Sequence, residues 1–223
     1  MRIRLVCNCG LLMEAEGAAL LVDAPNAVFS PFAHFSETEL AKLLAAQPPY
    51  DRLCGVCFTH THPDHYDADG VARLRAARPD VPVLLPDGAD GVWRAGEAFR
   101  VEYAAVPHTP VPADLMTPHQ VLLVTCGGRT LYITADAAPD AERHREILAG
   151  RTADAAFWNG QYLSHPETRA LLLECAQQNY IYHIPTDETD SSGIRRKCLR
   201  NMERYGAVLV GTQLLPCGSV LEI

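Results

Sequence analysis

Three histidines and two aspartates lie within residues 58–67, FTHTHPDHYD, directly after an apolar run. Ionisable side chains beside a buried strand are costly unless they are paired or bound to metal, so this density favours a metal site. His60 and His62 form an i, i+2 pair on extended chain, which turns both imidazoles to one side and lets them bind one ion. Asp64 and His65 follow where the chain turns, so they can hold a second ion. Mixed imidazole and carboxylate ligands suit Zn²⁺, and also Mn²⁺ or iron.

The elements that must position this cluster can be predicted from hydrophobic patterning. RLCGVCFT, before the cluster, predicts a short buried strand, and ADGVARLRAARP, after it, predicts a helix that ends near Pro79. The cluster then lies at the carboxyl end of a strand, where open α/β sheets place their sites. Strand-like runs open the chain and alternate with helices later, which predicts two sheets covered by helices on their outer faces. The length of 223 residues fits a single domain over 1–223.

Other segments carry clear local signals. SETELAKLLAAQ predicts a helix that opens with a capping box formed by Ser36 and Glu39. HQVLLVTCGGRTLYITAD predicts a hairpin about Gly127 and Gly128. PETRALLLECAQQ predicts a helix, and NYIYHI predicts the strand that follows it.

Composition limits the classes of partner and the compartment. The chain has 19 Lys+Arg against 27 Asp+Glu, a formal net charge of −8, which disfavours polymeric nucleic acid and leaves a small-molecule substrate as the expected partner. No stretch approaches the roughly 18 apolar residues of a membrane span, and the amino terminus lacks the pattern of a signal peptide. Eight cysteines without a secretion signal indicate reduced thiols, so a cytoplasmic location is expected.

Two cysteine pairs, Cys7 with Cys9 and Cys54 with Cys57, could be metal ligands or core residues. RLCGVCF has the pattern of a buried strand, where cysteine acts as a small hydrophobic residue. No second CxxC lies at zinc-ribbon spacing. The core interpretation is therefore favoured for both pairs.

THTHPDHYD resembles the HxHxDH signature of the metallo-β-lactamase superfamily. The resemblance covers nearly the whole chain, and it implies an α/β (α+β) fold, a four-layer αββα sandwich of two packed sheets. Further motifs occur in the expected order: LLVDAP with Asp23, VPHTP with His108, TLYITAD with Asp136, and YIYHIP with His183. Asp136 follows Ala135, where relatives typically have glycine.

The resemblance implies a two-metal site and a hydrolytic mechanism. One divalent ion would bind His60, His62 and His108, and the other would bind Asp64, His65 and His183. Asp136 would bridge the two ions beside a water or hydroxide that attacks the substrate. Two ions about 3.5–4 Å apart can lower the pKa of that water to about 7. Asp64 would also act in catalysis by orienting the nucleophile and passing a proton to the leaving group. Zinc is the expected metal, with manganese or iron as alternatives.

Several residues have more than one possible role. His119 could replace His108 as a ligand, although its place at the start of a strand favours a position behind the ligands or in the pocket. Asp23 is expected to accept an N–H from a ligand histidine. His165 could reach the substrate or cap the helix that begins at Pro166. Two further side chains could contact the substrate, Asn159 and Tyr162.

The substrate class is predicted only broadly. The chain is most similar to the branch that contains ascorbate-6-phosphate lactonase and N-acylphosphatidylethanolamine phospholipase D. That branch implies hydrolysis of a small-molecule ester, a lactone or a phosphodiester. The alternatives are an iron-containing redox protein and a non-catalytic metal-binding protein of the same fold.

Overall fold

Two mixed β-sheets pack face to face in the computed structural model, which describes residues 1–223 apart from the side chain of Asp114. The first sheet has the strand order β13-β1-β2-β3-β4-β5, and the second has the order β12-β11-β10-β9-β8-β7-β6. The strands are β1 (Arg2–Leu5), β2 (Leu11–Ala15), β3 (Ala18–Val22), β4 (Leu53–Cys57), β5 (Val83–Leu84), β6 (Gly91–Ala95), β7 (Phe99–Ala105), β8 (Gln120–Cys126), β9 (Arg129–Ile133), β10 (Ala153–Trp158), β11 (Ala176–Ile181), β12 (Thr212–Leu214) and β13 (Val220–Glu222).

Five helices cover the outer faces of the two sheets. They are α1 (Glu37–Leu44), α2 (Ala68–Ala77), α3 (Ala141–Leu148), α4 (Pro166–Cys175) and α5 (Ile194–Tyr205). Leu40 of α1 and Leu74 of α2 pack in one buried cluster with the outer side chains of the first sheet. Leu148 of α3 and Leu171 of α4 pack in another with the second sheet. A third cluster lies between the sheets, so the predicted four-layer αββα sandwich is confirmed.

Local sequence explains most element boundaries. Ser36 caps α1 by accepting a hydrogen bond from the Glu39 backbone N–H at 3.2 Å. The reciprocal arm of the predicted capping box is not made, because the Glu39 carboxylate binds Lys42 and the Tyr50 hydroxyl instead. The hairpin of β8 and β9 turns at Gly127 and Gly128, which both have positive φ.

Some predicted boundaries are wrong. α4 ends at Cys175, and its predicted last residues AQQ begin β11 instead, because the parallel partner β10 pairs with them from Ala153 onward. Strand β6 carries no apolar alternation that predicts it, yet it pairs with β7. Strand β6 also packs against β4 of the other sheet. Gly55 of β4 makes room for this contact, since a Cβ there would lie 2.6 Å from the Trp93 ring of β6. Among the described residues, no helix has the length and apolar character needed to cross a bilayer.

His144 lies buried between two tyrosines in the core outside the second sheet. Its Nδ1 is 2.6 Å from the Tyr132 hydroxyl and its Nε2 is 2.5 Å from the Tyr162 hydroxyl. One neutral tautomer of His144 satisfies this series of hydrogen bonds. In it, the Tyr132 hydroxyl donates to Nδ1 and Nε2–H donates to the Tyr162 oxygen. The Tyr162 hydroxyl in turn donates to the carbonyls of Ala137 and Ala138. Burial lowers the pKa of His144 to about 4.

This buried histidine should make the protein sensitive to acid. Below the ordinary histidine pKa of about 6.5 the unfolded chain binds a proton that the native state does not, so stability falls as the pH drops towards 4. The loss from His144 should reach about 3 kcal/mol. Free energies of unfolding measured from pH 7 to pH 4 should therefore fall less steeply for His144→Gln than for wild type. The exposed His34→Gln should follow wild type, and parallel curves for all three proteins would contradict the assignment.

Candidate metal centre

The candidate site is built where strands of both sheets reach their carboxyl ends. Asp23 follows β3, and the cluster of His60, His62, Asp64 and His65 follows β4. From the second sheet, His108 follows β7, Asp136 follows β9, and His183 follows β11. Because these strands run in the same direction within each sheet, their ends meet at one edge of the sandwich.

Asp136 lies at the centre of the gathered histidines. Its Oδ2 is 3.5 Å from the Nε2 atoms of His108 and His183, 3.6 Å from that of His65 and 3.8 Å from that of His60. Burial would raise the pKa of Asp136, but the rings of His183, His108 and His65 outweigh it and hold the pKa well below its usual range. A carboxylate oxygen therefore lies between two sets of imidazole nitrogens.

The first set consists of His60, His62 and His108, whose ring nitrogens lie within 4.8 Å of one another. The Nε2 atoms of His60 and His108 are buried and have no hydrogen-bond partner among the described residues. A buried polar atom left in that state costs about 1–3 kcal/mol. A bound cation would satisfy both nitrogens, so this donor set fits a metal ion.

The other ring nitrogens of this set are held by hydrogen bonds. His108 Nδ1 lies 2.6 Å from its neighbouring backbone carbonyl at Thr109, and His62 Nε2 lies 2.7 Å from the carbonyl of Leu115. A carbonyl only accepts, so each of these nitrogens carries the proton and donates. The lone pair then lies on His108 Nε2 and on His62 Nδ1. Backbone carbonyls thus set the tautomers that would bind a metal.

The second set consists of Asp64, His65 and His183, which together with Asp136 offer ligand atoms within 4.8 Å of one another. His183 Nε2 is 3.1 Å from Asp64 Oδ2 and 3.1 Å from His65 Nε2. Burial would raise the pKa of Asp64, yet the neighbouring His65 and His183 lower it, so Asp64 is a carboxylate near neutral pH. This set mixes nitrogen and oxygen donors, which fits a zinc, manganese or iron ion.

Asp23 holds the second set in place from behind. Its carboxylate is fully buried and accepts from the Thr59 backbone N–H at 2.7 Å and from the Thr59 hydroxyl at 2.8 Å. Its Oδ2 is also 3.0 Å from His65 Nδ1. The carboxylate accepts a hydrogen bond from Nδ1–H, which leaves the lone pair on His65 Nε2, the nitrogen that faces the cluster.

Asp23→Asn should weaken metal binding about 10–100-fold, because the amide cannot accept all three hydrogen bonds and loses control of the His65 tautomer. The affinity for Zn²⁺ can be measured by competition with a chromophoric chelator. Asp69→Asn, an exposed substitution in the first turn of α2, is the matched control and should bind as wild type does. Equal affinities for wild type and Asp23→Asn would show that Asp23 does not orient a ligand.

The structure places His119 behind His60 rather than in either donor set. Their ring centroids are 4.9 Å apart, and His119 is buried. Burial lowers the pKa of His119 to about 3, so the ring is neutral. His165 lies exposed at the rim of the cavity, at the position before α4, and its side chain makes no capping hydrogen bond.

Asn159 and Tyr162 support the turn that carries Asp136. Asn159 Nδ2 donates to the Ala135 carbonyl at 2.7 Å, and the fully buried Tyr162 hydroxyl donates to the Ala137 carbonyl at 3.3 Å. Ala135 has a φ of 45°, the left-handed region that favours glycine. The Tyr182 hydroxyl oxygen accepts a hydrogen bond from the backbone N–H of Ala135 at 3.1 Å. These hydrogen bonds hold Ala135 in a backbone conformation that glycine adopts more readily.

A cavity of about 650 Å³ opens above the donor sets. His62, Asp64, His108, Asp136 and His183 line its inner end. Apolar and polar side chains line the rest of its wall: Phe29, Phe32, Leu115 and Ile194, and Gln161, His165 and Lys197. The cavity is large enough for a small molecule to lie against both donor sets.

The packed sheets define the metallo-β-lactamase fold, and solved structures of that fold match the chain. YhfI from Bacillus subtilis, a metallo-β-lactamase fold protein, matches with a TM-score of 0.67 and 18% identity over 99% of this chain and 97% of that one. An isothiocyanate hydrolase from Delia radicum gut bacteria matches with a TM-score of 0.65 and 15% identity over 100% and 99%. Zn²⁺-bound PqqB from Methylobacterium extorquens matches with a TM-score of 0.56 and 15% identity over 96% and 87%.

Comparison of the sequence alone finds no relative: no protein-family model matches the chain, and no curated protein matches it. The structural matches confirm the predicted resemblance at the level of the fold.

Proposed function

We propose that this protein is a metal-dependent hydrolase that acts on a small-molecule ester, lactone or phosphodiester. The observation that carries the proposal is the position of Asp136, whose Oδ2 lies 3.5–3.8 Å from four histidine nitrogens that belong to two donor sets. Two of those nitrogens are buried without a partner among the described residues. A carboxylate between two such sets can bind both ions of a two-metal hydrolytic site.

The residues would divide the metal binding as follows. His60, His62 and His108 would hold one divalent ion, Asp64, His65 and His183 the other, and Asp136 would bind both. Two divalent ions bound there would lower the pKa of a water to about 7 and polarise the oxygen of the group under attack. Zinc is the metal that we favour, with manganese and iron as the alternatives.

Asp64 would handle the proton of the nucleophilic water. It borders the cavity, its Oδ2 is 3.1 Å from His183 Nε2, and it is a carboxylate near neutral pH. It would orient the water by accepting its hydrogen bond and then transfer a proton to the leaving group. The apolar walls of the cavity, including Phe32 and Leu115, would limit the access of other water molecules.

Two features support a small-molecule substrate. The cavity of about 650 Å³ lies within the range of small-molecule sites. The structure of the isothiocyanate hydrolase matches over 99% of that chain, and its name gives a small molecule as its substrate. We propose in addition that residues 1–223 form one domain, that the protein is cytoplasmic and that it does not bind polymeric nucleic acid, as its net charge of −8 suggests.

A substrate panel tests this function. Protein loaded with Zn²⁺ or Mn²⁺ is assayed on a lactone, a thioester and bis(p-nitrophenyl) phosphate. We expect metal-dependent turnover of at least one lactone or phosphodiester, and its loss in His62→Ala. His34→Ala, an exposed histidine outside the site, is the control and should retain activity. The hydrolase proposal is wrong if the loaded protein turns over nothing in a broadened panel of esters, lactones and phosphodiesters.

A further inference from the structure

The short loop after β1 brings a cysteine to the candidate metal centre. Cys9 is fully buried, and its Sγ lies 3.7 Å from His65 Nε2. Cys9, His65 and His183 offer ligand atoms within 4.8 Å of one another. The sequence-based interpretation of Cys9 as a core residue describes only half of its surroundings, because the residue packs between the sheets and also faces the histidines.

The loop holds this thiol in a defined position. The backbone N–H of Val6 donates to the Gly10 carbonyl at 2.8 Å, and that of Asn8 donates to the Ala33 carbonyl at 3.0 Å. A Cβ at Gly10 would lie 2.4 Å from the sulfur of Cys7, so the turn packs closely against that side chain. Cys7 has a different environment, with its thiol 3.8 Å from the Asp23 carbonyl. The two cysteines of CNCG therefore differ, and Cys7 offers a matched control.

The atoms around Cys9 belong to side chains that can each bind a metal ion. His65 donates from Nδ1 to Asp23, so its Nε2 carries a lone pair. That atom lies 3.1 Å from His183 Nε2 and 3.8 Å from Asp64 Oδ2. His183 Nε2 can donate a hydrogen bond to Asp64 Oδ2 at 3.1 Å, and a bound cation would take the place of that proton. Sulfur, nitrogen and carboxylate donors are available together at this point.

We propose that the Cys9 thiolate is a ligand of the ion bound by Asp64, His65 and His183. This inference rests on the proposed two-metal function and adds a ligand from outside the HxHxDH motif. When the sulfur binds, the thiol loses its proton to solvent and the Sγ–metal bond forms. The two ions then differ, since one has imidazole and carboxylate ligands and the other also has sulfur. A thiolate favours Zn²⁺ over Mn²⁺, so Cys9 gives the second position its metal preference.

Cobalt substitution of the full chain tests the proposal. Co²⁺ with a thiolate ligand shows a sulfur-to-cobalt charge-transfer band in the near ultraviolet, and we expect this band in wild type carrying two Co²⁺ ions. The band should disappear in Cys9→Ser and persist in Cys7→Ser. Two bound ions without the band, or a band that persists in Cys9→Ser, would overturn the role of Cys9 and leave the hydrolase proposal standing. Failure of wild type to bind cobalt, zinc or manganese would overturn both.

A second measurement does not depend on the folding of a variant. Zinc X-ray absorption on wild-type protein should detect a sulfur scatterer at about 2.3 Å, the usual zinc–thiolate distance. A zinc shell of nitrogen and oxygen alone would overturn the proposal. For folded Cys9→Ser we also expect the Zn²⁺ affinity of the second position to fall about 10–100-fold, with a smaller change for Mn²⁺.

Discussion

Asp136→Asn should lower kcat/KM about 10³-fold or more and leave the protein folded. One oxygen of Asp136 lies between both donor sets, at 3.5 Å from His108 Nε2 and from His183 Nε2. An amide oxygen keeps the size of the side chain but loses the negative charge that offsets two cations. Removing several kcal/mol of stabilisation from the transition state corresponds to about three orders of magnitude in rate. The measurement is steady-state hydrolysis of the best substrate of the panel, with the metal content of each protein determined in parallel.

The control for this variant is another carboxylate outside the cluster. Asp87→Asn changes the same chemical group in an exposed loop and should keep both activity and metal content. We expect Asp136→Asn to bind fewer ions per chain than wild type, with an unchanged circular dichroism spectrum. An Asp136→Asn protein with wild-type turnover would show that this carboxylate is not shared by two catalytic ions.

Removal of metal should destabilise the protein by roughly 8–16 °C in Tm. A ligand that binds only the native state and is present at about 1,000 times its Kd stabilises by about 4 kcal/mol. For a chain of this length, each kcal/mol corresponds to about 2–4 °C. The reason for so large an effect is local, because the Nε2 atoms of His60 and His108 are buried with no partner among the described residues. Without an ion these two nitrogens stay without a hydrogen-bond partner, which is costly in a buried site.

Thermal unfolding followed by circular dichroism measures this effect. Wild type is compared before and after dialysis against a chelator, and after Zn²⁺ is added back, which should restore the original Tm. The double variant His60→Ala, His108→Ala removes both unpartnered nitrogens, so its Tm should respond much less to the chelator. If wild type verified as metal-free unfolds at the same temperature as the loaded protein, the buried donors do not require a metal.

The sequence predicts the parts of the site that depend on local spacing. His60 and His62 alternate along extended chain after an apolar strand, and that pattern alone indicates a shared ion. The distant His108, Asp136 and His183 could be assigned only through the family resemblance, because nothing in their own surroundings indicates that their strands end at the same edge of the sandwich.

Other features of the site depend on contacts between distant segments. Cys9 and His65 are 56 residues apart, and no spacing rule connects them. The Leu115 carbonyl that sets the tautomer of His62 is a backbone atom, so no residue type could reveal it. Tyr182, which supports Ala135, looks in the sequence like one more aromatic residue of a buried strand. Sequence patterns report local periodicity, whereas these contacts arise from how the two sheets pack.

Anomalous diffraction from a crystal of the zinc-loaded protein tests the central claim most directly. We predict two zinc peaks about 3.5–4 Å apart. One should lie among His60, His62 and His108 and the other among Asp64, His65 and His183, with Asp136 in contact with both. A fully loaded crystal with no peak at these residues, or with a single peak away from Asp136, would contradict the two-metal account.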